Sequence, residues 1–487
     1  MTAPVIFAGA RRPVRSAWRG GLVAAGAAAA LVACAPVGPD FAAPEADLSP
    51  AFVDPLAKDL AAEDQAAGAV SAPTPVIGRA WWLDYGDPML ESLVVAGVGA
   101  NLTEAAARER IAQARANLRA TGINAALDGG LDASALRSGG DEVSTTGTGA
   151  GALGAALVVD LFGGIRRGRE SAEASLDSGL ADVETARLAW LAELVAAYSD
   201  ARFNQAALAL TRAAIASRQE TVDITRRQLE AGAATEYGVA TAEALLDTAR
   251  ANLPAYAALF NANVFAIATL LDAPAGPLLA RMQAGAPQLR APSGDPVIGV
   301  PADLLRNRPD LRAAEADLHA AVADVGVAEA ALYPSITLTG DLSLNAGSSG
   351  WSFGPTLSLP VFNRGALEAS RDAQVSLARQ AEIAWRAAVV DAVADVQVAQ
   401  SNLDQYRRRA TALRRAADSY GRALDLARVN YREGAITLLD LLVTDGSAVT
   451  ARINQASAVN DAAKEWAALQ IALGAGSRAG AGARPGS

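Results

Sequence analysis

This chain has almost none of the residues that most protein chemistry needs. Its 487 residues include one cysteine and one histidine. A single cysteine excludes an internal disulfide, and a single histidine leaves no His/Cys cluster to hold a metal. The histidine, His319, reads as a surface or packing residue on a predicted helix. Gly139-Gly140 and Gly163-Gly164 lack the spacing of a phosphate loop and read as turn glycines. The carboxylates are scattered and form no paired acid/base site. Nothing therefore points to an enzyme, and no cofactor is implied beyond a covalent lipid considered below. Basic patches are also missing. Lys and Arg number 42 against 52 Asp and Glu, a formal net charge of −10. Without a basic stripe, nucleic acid is excluded as a partner.

What the chain does have begins at that one cysteine. Arg11, Arg12, Arg15 and Arg19 form a basic start, and Gly21 to Ala30 an apolar run too short to span a bilayer as a helix. Leu31-Val32-Ala33 then leads into Cys34. This order is that of a signal peptide, residues 1–33, and Leu-x-Ala-Cys resembles a bacterial lipobox. There the cysteine receives N-acyl and diacylglycerol lipid (palmitate in the usual case) and becomes the first mature residue. The alternative is a buried structural cysteine beside a signal peptide. A chain starting at Cys34 keeps 38 basic against 52 acidic residues, a formal charge of −14. Ala35 follows, where aspartate would favour retention at the inner membrane; alanine favours the outer membrane.

The chain repeats itself at an offset of about two hundred residues. Asn101-Leu102, Val158 to Gly164 and Leu229 to Gly232 in the first half have counterparts in Asp310-Leu311, Leu357 to Gly365 and Tyr431 to Gly434. Phe162 pairs with Phe362 and Gly232 with Gly434. Each half reads as helix, two strands, long helix, glycine turn, long helix. The implied divisions are 34–100, a first repeat over 101–272, a linker over 273–300, a second repeat over 301–474 and a disordered tail over 475–487.

The long helices carry seven-residue rows. Leu194, Ala201, Leu208, Ile215, Val222 and Leu229 form one, and Leu246, Leu253, Phe260 and Ile267 another. In the second half there are two, Val389/Val396/Leu403 and Tyr406/Leu413/Tyr420. Sustained heptads mean helices packed along their length as coiled coils. About 65 residues at 1.5 Å each make a rod of about 100 Å, and Pro254 predicts a local bend. The helices alone leave open whether they form a two-stranded coiled coil or a ring with a solvated inner face.

The strands bear on that choice. Ser335 to Asn345 and Trp351 to Val361 alternate apolar and polar residues around a predicted loop, Asn345 to Gly350. In the first half, Leu127 to Ala135 and Leu153 to Leu161 alternate around a predicted loop, Ser138 to Gly151. Ten-residue alternating strands suit a transmembrane β-barrel, and equally the half-buried hairpins of a soluble sheet. An outer-membrane address favours the barrel. Four strands cannot close one, and lipid does not tolerate open edges, so copies must share it. Three chains give twelve strands, an even number within the known range of roughly 8 to 26.

Four segments in order then resemble one family. They are Gly38-Pro39-Asp40-Phe41-Ala42-Ala43-Pro44, Trp81-Trp82 with Tyr85, Asp87-Pro88 and Leu90, Pro301 to Leu311 with Ala314-Glu315, and Tyr333-Pro334-Ser335-Ile336. The chain resembles the lipoprotein branch of the TolC-like outer membrane factors, the NodT-like efflux lipoproteins, over about Cys34 to Gly474. The resemblance implies an α+β membrane protein: a homotrimer whose 12-stranded β-barrel, four strands per chain, stands on a long α-helical coiled-coil barrel. A mixed equatorial region, from the N-terminal stretch, Asp272 to Val300 and the C-terminal tail, would belt the helices. It implies outer membrane lipid around the barrel, a periplasmic adaptor and an inner-membrane pump of the resistance-nodulation-division type as partners, and export of small molecules. A lipid-anchored periplasmic adaptor or scaffold is the alternative.

The same resemblance places a periplasmic gate at the helix turns. Gly232 and Gly434 would be the tips, and Tyr431 and Asp440 fall where the family often has residues that hold the tip closed or line it. The chain departs from the pattern in two places. Gly238 and Val443 stand where many members have aspartates, and Asp445 lies two residues beyond the second. Two readings of the constriction stay open: an acidic one, at Asp440 or with Asp445 as the substitute, and an apolar ring at Val443 that seals by dewetting.

Overall fold

A computed structural model of the chain describes residues 36–46, 48, 52, 78–294, 301–345 and 347–478. The signal-peptide and lipidation readings, Cys34 included, lie outside the described residues. A 3-10 turn, Trp81–Tyr85, opens onto α1 (Pro88–Gly97) and α2 (Leu102–Arg119). One helical turn, α3 (Ile123–Ala126), leads to β1 (Leu127–Gly140) and β2 (Val143–Val159). Helices α4 (Gly164–Glu230), α5 (Glu236–Leu270) and α6 (Ala275–Gln283) follow. The second half supplies α7 (Pro301–Asn307), α8 (Pro309–Ala330), β3 (Ser335–Asn345), β4 (Ser348–Ser358), α9 (Arg364–Arg432) and α10 (Leu438–Ala472). The duplication is metric as well as sequential: α4 and α9 have 67 and 69 residues, and α5 and α10 have 35 each.

The chain divides into two compact units. One comprises Met1–Asp40, Ala120–Glu170 and Val322–Val375; the other comprises Phe41–Arg119, Ser171–Ala321 and Ser376–Ser487.

The first unit is a four-stranded antiparallel sheet in the order β1-β2-β3-β4. The first hairpin is longer than its sequence suggests. The predicted loop Ser138 to Gly151 is strand, and only Asp141 and Glu142 lie between β1 and β2. Gly147, Gly149 and Gly151 made this stretch read as loop. They alternate with Thr146, Thr148 and Ala150, so one face of β2 carries no side chain here, and the backbone pairs in step from Thr146 to Gly151, the register shifting only between Ser138 and Gly140. The second hairpin is displaced. β4 starts at Ser348 rather than Trp351 and ends at Ser358, leaving Leu359, Pro360 and Val361 outside. Ser358 lies opposite Ser335, the first residue of β3, so the ladder ends there.

The second unit is helical. One core cluster runs through it, joining Trp81, Leu90 and Leu93 to Trp190, Leu194, Tyr198, Phe260, Ile267, Trp385, Val389, Val396 and Trp466. The two short rows expected in α9 are parts of two longer rows that begin at Trp385 and Val389 and reach the end of the helix. Val389, Val396, Leu403, Ala417, Leu424 and Tyr431, all buried, stand at multiples of seven. Trp385, Ala392, Ala399 and Ala427 form the companion row, in which Tyr406, Leu413 and Tyr420 are the less buried middle. By length and composition α5 is apolar enough to cross a membrane. Its Phe260, Val264 and Ile267 instead join the helical core.

The belt expected around the helices consists of short helices and coil among the described residues. Trp81 Nε1 donates to the Ala475 carbonyl (3.1 Å) and Tyr85 Oη to the Ala463 carbonyl (2.6 Å). Both rings meet Trp466 edge-on. Asp87 caps α1 by accepting from the backbone of Met89 and Leu90, and Tyr198 Oη donates to its other oxygen at 2.7 Å. Burial and that bond push the Tyr198 phenol above its ordinary range, so it stays a donor. The stretch expected to be a disordered tail begins inside this core: Ala475 and Ser477 are buried and Arg478 pairs with Glu184 at 3.0 Å. Residues 479–487 lie outside the described residues. His319 stacks on Phe41, with centroids 4.3 Å apart, as a packing residue.

Candidate functional site: a two-faced sheet and paired helix tips

The register sorts the sheet into two chemically opposite faces. Successive residues of a strand point to opposite sides. On one face Leu131, Leu153, Leu342 and Trp351 align across all four strands, flanked by the row Leu127, Leu157, Leu338 and Pro355. The other face aligns Gly130, Gly154, Asp341 and Ser352, then Asp132, Ala152, Ser343 and Gly350. Among the described residues neither face is covered: every residue of β1 is exposed, with Leu131 at 75% and Trp351 on β4 at 82%. A soluble sheet buries its apolar face. This one presents leucines and a tryptophan outward, which suits lipid as the solvent. Among the described residues, β1 and β4 each have one edge unpaired. Phe162 and Tyr333, stacked at 4.6 Å just beyond β2 and before β3, mark the foot of the apolar band. Aromatic girdles occupy that level in membrane barrels.

The helix turns in the other unit are built twice from one plan. Gly232 and Gly434 both adopt φ +74°, the left-handed conformation that ends a helix. Ala233 N–H donates to the Gln228 carbonyl at 2.7 Å, and Ala435 N–H to the Asn430 carbonyl at 2.8 Å. Thr235 and Thr437 then cap the next helices.

The structure brings some of the expected tip residues together and separates others. Tyr431 is buried; its hydroxyl donates to Gln228 Oε1 at 2.6 Å and lies 3.2 Å from Thr225 Oγ1, tying α9 to α4. Asp440 is exposed and completes a capping box with Thr437. It accepts from the Thr437 backbone (3.1 Å) and hydroxyl (2.7 Å). Those bonds, the hydroxyl first, hold its carboxyl below the usual carboxylate range. Val443 is exposed, and a side chain at Gly238 would touch Leu438 Cδ2 at 3.2 Å. Asp445 does not stand with them. It is buried against Arg218, with Nε to Oδ2 at 2.7 Å, while Arg218 also donates to the Leu245 carbonyl at 3.0 Å. One guanidinium thus joins α4, α5 and α10. Sequence reasoning missed Arg218, Thr225 and Gln228. They are single polar residues on a long helix, and their partners lie about two hundred positions away.

The cap gives a direct expectation. Asp440→Asn should fray the first turn of α10, seen as faster amide exchange at Leu441, while Tyr431 keeps its bond to Gln228. Unchanged exchange would remove the capping role.

The profile of the outer membrane efflux protein family matches residues 91–272 and 300–475. Nodulation protein T of Rhizobium leguminosarum bv. trifolii is 37% identical over 456 residues, covering 90% of this chain and 94% of that protein. The chain belongs to the outer membrane efflux protein family. Pyoverdine export outer membrane protein OpmQ of Pseudomonas putida is 32% identical, over 81% of this chain and 88% of its own. Among solved structures, the outer-membrane channel OprN matches with a TM-score of 0.79 at 28% identity, over 91% of this chain and 99% of that one. The open state of the Neisseria gonorrhoeae MtrE channel gives 0.76 at 26% identity, over 91% and 99%.

The family's fold accounts for the uncovered sheet. This α+β channel fold sets a membrane β-barrel on long helices that reach into the periplasm, and the chain is an outer-membrane efflux channel protein. Its motifs have structural work at that fold's core. In the Pro301 to Leu311 segment, Arg308 is the organiser. It grips Asp310 at 2.7 Å and Asp395 at 3.0 Å and donates to the Ala472 carbonyl at 3.2 Å. Pro309 opens α8 at a position where its missing N–H costs nothing.

Proposed function

We propose that three copies of this chain assemble into one conduit of a tripartite export system. The two-faced sheet with open edges carries this reading. Its leucine face suits lipid, its Asp, Ser, Thr and Gly face suits a watery lumen, and its unpaired β1 and β4 edges suit a neighbouring copy's β4 and β1. Closure then needs several chains, and three give twelve strands. The helix turns at Gly232 and Gly434 are the periplasmic tips, where Tyr431 holds the closed state, Asp440 stiffens the start of α10 and Val443 lines the constriction. A periplasmic adaptor engages these tips, and an inner-membrane pump of the resistance-nodulation-division type drives small molecules through. A lipid on Cys34 anchors each copy in the outer membrane. The pore itself catalyses no reaction.

Purified full-length chain in detergent should run as a heat-modifiable trimer and conduct ions in planar bilayers. A mature chain that remains soluble and monomeric without detergent would sink the reading.

A further inference from the structure

At the foot of the sheet the chain's N-terminal segment is tied down more firmly than a leader to a lipid needs. Val37 N–H donates to the Phe162 carbonyl at 3.0 Å, so the segment hydrogen-bonds the chain where it leaves β2. Arg167, on the first turn of α4, has a side chain only 5% exposed. Its guanidinium donates to the carbonyls of Val37 (3.3 Å) and Gly38 (3.5 Å) and to Asp40 Oδ1 (2.6 Å). Glu170 completes the set at 2.7 Å. Gly38 adopts φ +88°, and a side chain there would lie 2.5 Å from Gly326 Cα on α8. The segment therefore threads between two helices with no room for a larger residue. Both the fork of Arg167 and the bare Gly38 are needed for this path.

We propose that Arg167 is a positioning clamp that fixes the N-terminal segment at the foot of the sheet and thereby sets the level at which the lipid meets the barrel. The proposal rests on the reading of Cys34 as the lipidated residue. Val37, the nearest residue that Arg167 holds, lies three residues after Cys34, so the anchor reaches no farther than about 11 Å of chain from the clamp. The clamp adjoins Phe162, whose ring stacks on Tyr333 at the end of the apolar band. Lipid and strand ends therefore enter the membrane at one level. A loosely tethered lipid would localise the chain without orienting it. A clamped one presents the sheet to the bilayer foot-first, before neighbouring copies close the barrel.

The test uses the full-length chain with Arg167→Gln, Arg167→Lys and Asp40→Asn. The Asp40 side chain is 90% exposed, so its loss leaves the fold intact even if Arg167→Gln does not fold. Thermolysin cuts before Val37 and Phe41, and its rate of trimming the folded trimer reads the clamp. Arg167→Gln should speed trimming about tenfold, the effect of about 1.4 kcal/mol of lost local stability. Arg167→Lys, with one donor head in place of a fork, should fall between it and wild type. Asp40→Asn should give about threefold, as an exposed partner would. Each should lower trimer yield in the outer membrane while palmitate incorporation and the melting of the helical signal stay as in wild type. Wild-type trimming in both Arg167→Gln and Asp40→Asn overturns the proposal, and so does trimming that rises only together with helix melting. Absence of palmitate from the wild-type chain overturns the lipid reading beneath it; trimming, measured separately, tells the two failures apart.

Discussion

Removing either partner of the Arg218–Asp445 pair is expected to loosen the helix tips more than any change to the turn residues. The two side chains are 9% and 5% exposed, and the pair joins three helices. Losing one partner leaves the other charge buried without compensation, at a cost of about 3–5 kcal/mol. Tyr431→Phe, by contrast, gives up only neutral hydrogen bonds, of about 1 kcal/mol. Asp445→Asn and Arg218→Gln should therefore raise bilayer conductance and antibiotic leakage well beyond Tyr431→Phe. The double replacement Arg218→Met with Asp445→Leu should recover much of the closed state, because it removes both buried charges. Single variants that conduct like wild type would show that the pair only packs the helices. The position matters because the chain lacks the family's aspartates at Gly238 and Val443. A carboxylate two residues beyond Val443 has instead turned inward to its own chain's arginine. If these turns are the gate, two bonds within each chain, Arg218–Asp445 and Tyr431–Gln228, are expected to support closure.

That pair also marks how far the sequence could be read. The repeat, the long helices, the four strands and the tip glycines were all legible, because each has a local signature: a seven-residue period, an alternation, a glycine at a helix end. Where the local signature was weak, boundaries failed. Glycines 147, 149 and 151 looked like a loop although their partners Arg137, Ala135 and Ala133 pair with them along a strand. The α9 rows looked broken because the stretch between Leu403 and Ala417 offers only Ala410 to the first row. Contacts between distant segments had no signature at all. Arg167 to Asp40, Arg218 to Asp445 and Tyr198 to Asp87 each join residues more than a hundred positions apart. Any of these arginines read as a solvated helix residue until the fold supplied its partner. The family motifs were recognisable before they were explicable. Asp87 is a helix cap that also receives Tyr198, and Arg308 binds two carboxylates and a helix C-terminus.

The second large effect concerns the sheet. Leu342 and Thr339 lie on the same strand, three residues apart and therefore on opposite faces. Leu342 stands between Leu153 and Trp351, on the row that Leu131 completes; Thr339 stands between Ala156 and Gly354. Leu342→Arg puts a guanidinium into lipid at about 2–4 kcal/mol per copy near the midplane. A barrel shared by three chains bears that penalty three times over. Trimer should nearly vanish from the outer membrane, with the chain left as a degraded or unassembled precursor. Thr339→Arg adds the same charge to the lumen face, where water solvates it. It should assemble normally and change only conduction, shifting preference toward anions against the carboxylates of Asp128, Asp132 and Asp341. The comparison holds the introduced residue, its charge and the strand constant, so the face is the main variable. Equal tolerance of the two substitutions would mean that the leucine face does not meet lipid, and the barrel reading would fall with it. A reversed order would mean that the faces had been assigned the wrong way round, with the aspartates outward. Lipid forbids that arrangement and a soluble sheet permits it, so the same pair of variants also separates a membrane barrel from a periplasmic one.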